Sequence, residues 1–364
     1  MRSSHRLTAS LAVLLAACSG GGTTISTTPA PAPGTSPSPT ATSGDASASE
    51  SNLRRMLFAL ADDSMRGRRM GTADAARAAR MLAAEMRAIG LEAGGDSGYF
   101  QRVPLAVISS EGGRDRMGLA ESFAALDSLP PERRRPDVNV VGVLRGSDPS
   151  LREEAIVVGA HFDHVGVGQP VEGDSINNGA DDDASGVVAT LEIARLIARG
   201  PAPKRTVVFV LTTGEEGAGF AGSNWYIRNP VIPMERTVAD LQIEMIGRPD
   251  PLAGGTGKIW ITGAERSTLA ELLRRGGVDV GVDPRPALDL FNRSDNIAFA
   301  RRGIVAHTLS TYNGHSDYHR PSDEPDAIDY PHLTRVVEQG ARAVRVMADG
   351  PAPQWNPGGR PAPR

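Results

Sequence analysis

The chain has 364 residues, 23% of them charged and 40% hydrophobic, with a formal net charge of -4 at pH 7. Charges this nearly balanced exclude the basic footprint of a general nucleic-acid binder, and the length is ample for one large domain or two modest ones with a buried core. Lys204 and Lys258 are the only lysines, so the basic residues are almost all arginine, a bias that names no partner.

The first residues read as an export signal rather than as fold. Arg2, His5 and Arg6 precede an apolar run, Leu11 to Ala17, that is too short to span a bilayer. The run ends Leu15-Ala16-Ala17-Cys18, which resembles the lipobox of bacterial lipoproteins. The resemblance implies a signal peptide over 1–18, a lipid on Cys18, and membrane contact through that anchor alone. Ser19 after the cysteine favours the outer membrane of a Gram-negative envelope. Cys18 is the only cysteine, so no intramolecular disulfide is available. Residues 19–50 are Gly, Ser, Thr, Ala and Pro with almost no apolar bulk, and are expected to be a disordered spacer. Residues 51–350 then form the folded domain, and the Pro-rich stretch 351–364 is expected to be a loose tail.

Within the domain, Leu53 to Leu60 reads as a short helix and Thr72 to Ile89 as a longer one. Its apolar face is Ala75, Ala78, Ala79, Leu82, Ala83, Met86 and Ile89, with Thr72 as cap and Gly90 as stop. Tyr99 to Val107 alternates like a strand, and Glu111 to Pro136 reads as helix and loop. Val138 to Leu144 and Ala155 to Ala160 are β-branched strands. A helix comes next from Ala184 to Ala198, then a fully buried strand within Arg205 to Thr213, and a loop-to-helix unit from Phe220 to Arg228. Further strands lie at Val238 to Ile246, Lys258 to Thr262 and Ile304 to Leu309, with helices at Ser267 to Arg275 and, opened by a proline, Pro331 to Met347. Strands alternating with helices predict a single-domain α/β sandwich, a mixed, mostly parallel twisted sheet flanked by helices.

Four separated stretches carry ligand-type side chains at the ends of these strands: His161-Phe-Asp163, Asp181-Asp182-Asp183, Glu215-Glu216, and His315-Ser-Asp-Tyr-His319. Glu244 is a fifth candidate. Each fragment alone is ordinary, since an aspartate before a helix is usually a cap and an acidic pair in a turn is usually solvated. Their coincidence at the carboxyl ends of consecutive apolar strands points to a built site. On a strand His161 and Asp163 face the same side, so the carboxylate can take one imidazole N–H while the other nitrogen faces a metal. Two imidazoles with several carboxylates suit Zn²⁺, and a bridging carboxylate permits two ions. An oxygen cage for Ca²⁺ would leave the two histidines unexplained.

Ala160-His-Phe-Asp163, Gly179-Ala-Asp-Asp-Asp-Ala-Ser-Gly186, Gly214-Glu-Glu-Gly217 and His319-Arg-Pro-Ser-Asp323 resemble the motifs of the di-zinc exopeptidases of metallopeptidase clan MH. That group contains bacterial secreted aminopeptidases and glutamate carboxypeptidases. The likeness runs from about Arg68 to Met347 and includes Gly98-Tyr-Phe-Gln-Arg-Val103. It implies the zinc exopeptidase fold, two Zn²⁺ and peptide substrates. Asp182 would bridge the zincs, Glu216 and His319 would complete one position, and His161 and Glu244 the other. Glu215 would be the general base, Asp163 and Asp323 supporting residues behind the ligands, and Asp182–Asp183 a cis peptide. Glu244 stands where secreted aminopeptidases commonly have aspartate, and Asn296 where the family often has histidine.

The resemblance further implies that Ser294 and Asp295 lie on the substrate side. Tyr318, beside His319, has two readings, a hydrogen bond to the tetrahedral intermediate or loop packing. His164, with no matching ligand position, reads as a loop residue, and His307 as a core histidine. His315 lies near the site. Trp225 and Trp260 read as packing residues. Aminopeptidase activity is the leading expectation. A carboxypeptidase, which would need an arginine such as Arg248 or Arg293 for the terminal carboxylate, a one-zinc glutaminyl-cyclase-like enzyme, and a non-catalytic binding homologue are the alternatives.

Overall fold

A computed structural model describes residues 47–109 and 115–363. The signal-like run, Cys18 and nearly all of the spacer lie outside the described residues. The described part of the central sheet has nine strands: β1 Glu92–Ala93, β2 Phe100–Val103, β3 Asp137–Leu144, β4 Ala155–His161, β5 Thr206–Thr212, β6 Thr237–Ile243, β7 Ile259–Ile261, β8 Val280–Val282 and β9 Val305–Ser310. Their order is β1-β3-β5-β4-β6-β9-β7-β8, with β2 also paired to β3. The four middle strands, β5, β4, β6 and β9, are mutually parallel, while β3 and β7 join them antiparallel. The chain thus has the expected mixed, mostly parallel sheet in an α/β domain.

Strand alternation sends side chains to two helical layers. Ile156, Val158 and Ala160 of β4 and Val207, Phe209 and Leu211 of β5 pack under helices α1 Glu50–Leu60, α2 Ala73–Ile89, α4 Gly186–Arg199 and α8 Tyr330–Asp349, with α6 Leu269–Arg275 beside α8. Val157, Val208 and Val210 face the opposite layer, built by α5 Ala221–Arg228 and α7 Asn296–Arg301; α3 Phe123–Asp127 is a short helix that buries Leu126 against Ala106 and Ala120. Parallel strands buried on both faces need unbroken apolar sequence, which is what β4 and β5 have.

Local signals set the helix ends. The Thr72 hydroxyl accepts from the Ala75 N–H, and Gly90 closes α2 at φ 91°. Helix α1 starts earlier than its apolar pattern because the Ser49 hydroxyl accepts from the Asn52 N–H at 3.2 Å, so the folded part begins within the expected spacer.

Three expectations need correction. The single strand over Tyr99 to Val107 is two, because Pro104 lacks the N–H that would continue the ladder. The stretch expected as helix and loop after Glu111 contributes Asp115–Leu119 to a hairpin with Leu105–Ser109 before its short helix. The tail is packed rather than loose: the Trp355 indole donates to the Gly303 carbonyl at 2.9 Å, Thr268 N–H to Gln354 O at 2.9 Å, and Asn356 N–H to Arg266 O at 2.8 Å. One tryptophan lying against both core layers outweighs the polar, Pro-rich composition around it. Among the described residues no helix is long and apolar enough to cross a membrane.

Candidate metal centre

The parallel arrangement brings the carboxyl ends of β5, β4, β6 and β9 to one side. His161 is the last residue of β4; Glu215 and Glu216 follow β5 within four residues; Glu244 follows β6 directly; and the loop after β9 carries His319. Asp182 reaches the same place from the loop that opens α4, through the expected cis Asp182–Asp183 peptide. At the start of α4 the Asp183 carboxylate accepts from the Gly186 and Met245 N–H groups at 3.1 Å each.

Asp182 divides the site in two. Its Oδ1 lies 3.3 Å from His161 Nε2 and its Oδ2 lies 3.1 Å from His319 Nε2. Around the first oxygen His161, Asp182 and Glu244 converge; around the second, Asp182, Glu216, His319 and His164. In each group the ligand atoms lie within 4.8 Å of one another. The close pairs are not hydrogen bonds. His161 Nε2, His319 Nε2, both His164 nitrogens, Glu216 Oε1 and Glu244 Oε2 are buried without a hydrogen-bond partner in the protein. His161, His164, Glu216, Glu244 and His319 each offer one ligand atom to one of two common points, buried polar atoms left unpartnered are costly unless a third body satisfies them, and imidazole nitrogen with carboxylate oxygen is a zinc donor set. The residues therefore fit a metal at each point.

His164 is the main correction here. Read from sequence as a loop residue, it is fully buried with Nδ1 3.2 Å from Glu216 Oε1 and 3.9 Å from Asp182 Oδ2.

Asp163 supports the site by another route than expected. His161 Nδ1 lies 3.1 Å from the Asp163 backbone carbonyl, while the Asp163 carboxylate is 4.0 Å away. That carboxylate instead accepts the N–H groups of Glu215 and Glu216, at 3.3 Å each. It thereby fixes the turn carrying both glutamates. Asp323 does the same for the other loop, accepting from the N–H groups of Asp181 and Asp182. Arg68, which sequence reasoning passed over, is buried beneath both loops and donates to the carbonyls of Phe162, Leu60, Asn178 and Gly179.

The adjacent glutamates sit in opposite electrostatic states. Burial, and then the charges of Glu244 and Glu216, hold Glu215 well above the usual carboxyl range against the pull of His161. Burial acts on Glu216 too, but contacts from His164 and His319 outweigh it and lower its pKa. Glu244 is pushed up to about 7, chiefly by burial. Burial would lower His319, yet Asp182 and Glu216 raise it to about 9; for His164 burial wins and the ring is lowered. A cation among these groups would draw the carboxyls back down.

A pocket opens beside Glu244, lined by Trp260, Thr262, Arg293, Ser294, Thr308 and Tyr318 among others. Trp260 is buried as a packing residue, as expected, and borders this wall. The Tyr318 ring stacks on His319, centroids 3.9 Å apart. Asp295 does not face the pocket: it is buried and accepts from the Thr212 hydroxyl at 2.6 Å, because the turn into α7 points it beneath the sheet end. Asn296 is also buried, tied to Thr308 and Phe291. His315 places Nε2 3.0 Å from Asp181, and His307 is the core histidine expected, between the Ser267 hydroxyl and the Thr262 carbonyl. Arg248 is occupied by Asp317 and Asp323.

Residues 139–344 match the family model described as Peptidase family M28. The chain belongs to that family. It is a metallo-exopeptidase, a hydrolase of peptides. It is 27% identical over 230 residues to the uncharacterized protein YfbL of Escherichia coli (strain K12), covering 56% of this chain and 69% of that one. It is 28% identical over 212 residues to the probable leucine aminopeptidase 2 of Aspergillus oryzae, where it spans 40% of the relative's length and the match takes 56% of this chain. Among solved structures, BSAP, a zinc aminopeptidase from Bacillus subtilis, shares the fold with a TM-score of 0.59 at 15% identity, over 82% of this chain and 95% of that one.

Proposed function

We propose that this M28 peptidase is an aminopeptidase that works with two Zn²⁺ and uses Glu215 as its general base. The observation that carries the reading is the division of Asp182: each carboxylate oxygen serves a separate cluster of buried, unpartnered ligand atoms. When bound, the ions supply polarisation of the scissile carbonyl and acidification of the attacking water. Glu215 takes the proton from that water and returns it to the leaving amine. Asp163 keeps Glu215 and Glu216 in register through their backbone N–H groups. Ser294 and Tyr318 line the pocket that receives the substrate next to the scissile bond.

Preference for a free amino terminus rests on the aminopeptidase relative and on the walls of the site. The pocket is bordered by the Glu244 carboxylate, which suits an ammonium group, and one of the two arginines that would serve a carboxypeptidase, Arg248, is already paired. The proposal also keeps export and lipid attachment at Cys18 in a bacterial envelope, resting on the sequence of residues 2–18. A panel of aminoacyl amides, the same amides N-acetylated, and N-blocked dipeptides with a free carboxylate tests the specificity. Hydrolysis of the first group alone is expected; cleavage confined to the N-blocked dipeptides would overturn the aminopeptidase reading, as would cyclisation of N-terminal glutamine without peptide hydrolysis.

A further inference from the structure

The two metal positions are unequal. The position around Asp182 Oδ1 has three protein donors, His161, Asp182 and Glu244, whereas the one around Oδ2 has four, because His164 joins Asp182, Glu216 and His319. Zinc bonded tetrahedrally at about 2.0–2.1 Å requires donor atoms roughly 3.3–3.4 Å apart. The measured separations bracket that edge: His319 Nε2 is 2.9 Å from Glu216 Oε1 and 3.1 Å from Asp182 Oδ2, and His164 Nδ1 is 3.2 Å and 3.9 Å from the same two oxygens. The two imidazoles meet edge to face, centroids 5.4 Å apart, so both can direct a nitrogen to one point without stacking.

The surroundings leave His164 no other task. It is fully buried, and neither ring nitrogen has a hydrogen-bond partner. Its ring lies against Gly179, which is at φ +57°, and a Cβ there would stand 2.6 Å from the His164 Cγ and Cδ2. Arg68 grips the carbonyl of Phe162 two residues before it and that of Gly179. A buried ring held this firmly, with both nitrogens unspent, is built to donate a lone pair.

We propose that His164 is a fourth protein ligand that closes the metal position formed by Asp182, Glu216 and His319, making it the tightly held one, and leaves the three-donor position at His161 and Glu244 as the open, exchangeable one. Closed four-donor zinc sites are of the structural kind, while sites with three protein donors keep a place for water or substrate. The inference rests on the two-metal reading above and adds to it which ion is retained and why.

The test is stepwise metal loading of the stripped full-length protein, read by metal content after dialysis and by the visible spectrum with Co²⁺. The wild type is expected to fill in two separated steps, the first giving the intense absorption of four-coordinate Co²⁺. His164→Ala and the more conservative His164→Asn are expected to lose that band and to weaken the tight step by about 100-fold or more, leaving the weaker step in place; outer-shell changes cost about 10–100-fold, so a ligand should cost at least as much. X-ray absorption of the wild type with one equivalent of Zn²⁺ needs no variant to fold: two imidazoles per zinc are expected, and one would overturn the proposal. His319→Ala separates the two levels. If it abolishes the tight step while both His164 variants bind as wild type, the inference fails and the two-metal reading stands. If neither position affects any step, both fail.

Discussion

Arg68 supplies the sharpest test of how the site is held. Its guanidinium is wholly buried and meets four backbone carbonyls: Phe162 at 2.8 Å, Leu60 at 3.1 Å, Asn178 at 2.5 Å and Gly179 at 3.1 Å. Two of these acceptors, Asn178 and Gly179, immediately precede the aspartate loop and one lies between His161 and Asp163, so one side chain ties the two arms of the centre together. Burial pulls its pKa from 12.5 to about 10, against the charges of Asp182, Asp323 and Asp163, which puts the uncompensated cost of the buried charge at about 3 kcal/mol. Four hydrogen bonds from a charged donor contribute about 1.5 kcal/mol each at the low end, or about 6 kcal/mol together. Arg68→Met fills much of the volume, removes both terms, and should destabilise by about 3 kcal/mol, a fall in Tm of roughly 5 °C for a domain of about 300 residues. Arg68→Lys keeps the charge without the planar fork and should not restore the loss. Thermal melts followed by circular dichroism, with zinc retention measured on the same samples, provide the assay. A melting temperature and zinc content equal to wild type in Arg68→Met would refute the assigned role.

Asp163→Asn should lower kcat by about 10–100-fold while zinc is retained, because the carboxylate holds the Glu215–Glu216 turn and the His161 ring is held by a backbone carbonyl; zinc loss with unchanged kcat per zinc would return the carboxylate to the role of imidazole partner. Glu215→Gln should lower kcat by at least about 10²-fold with the metal content intact, and substantial turnover by the metal-replete variant would remove Glu215 as base. His307 is pulled down to about 4, mainly by burial, so between pH 4 and its ordinary value of 6.5 the unfolded chain binds the proton and the folded one does not. Stability from this group is full above about 6.5 and is lost as pH falls towards 4, by up to about 3 kcal/mol. His307→Gln should flatten the decline of Tm over that window; an unchanged slope would contradict the assignment.

Much of the centre was legible because parallel strands impose a strong pattern. The apolar runs of β4 and β5 announce burial on both faces, and residues just past the ends of such strands gather at one edge of the sheet, which brings the His161, Asp181–Asp183, Glu215–Glu216, Glu244 and His319 stretches together; the choice of Asp182 and Glu216 within them came from the family resemblance. The parts that escaped depend on contacts far apart in the chain. Arg68 looks like any arginine until its four distant carbonyls are known. His164 differs from a loop histidine only through Glu216 and His319, although its position one residue after Asp163, at the end of a buried strand, was a usable hint. Asp295 was misplaced because the turn into α7, rather than its neighbour Ser294, decides which way it points. The tail was misread because composition averages out a single tryptophan.

The central claim is that hydrolysis depends on two metal ions gathered around Asp182. The direct measurement is turnover of an aminoacyl amide against metal content in one preparation, stripped with chelator and reloaded with Zn²⁺. Activity that vanishes on stripping and returns fully only as the second equivalent binds is the predicted result. Full hydrolysis by the stripped protein, or full recovery at a single equivalent, would contradict it.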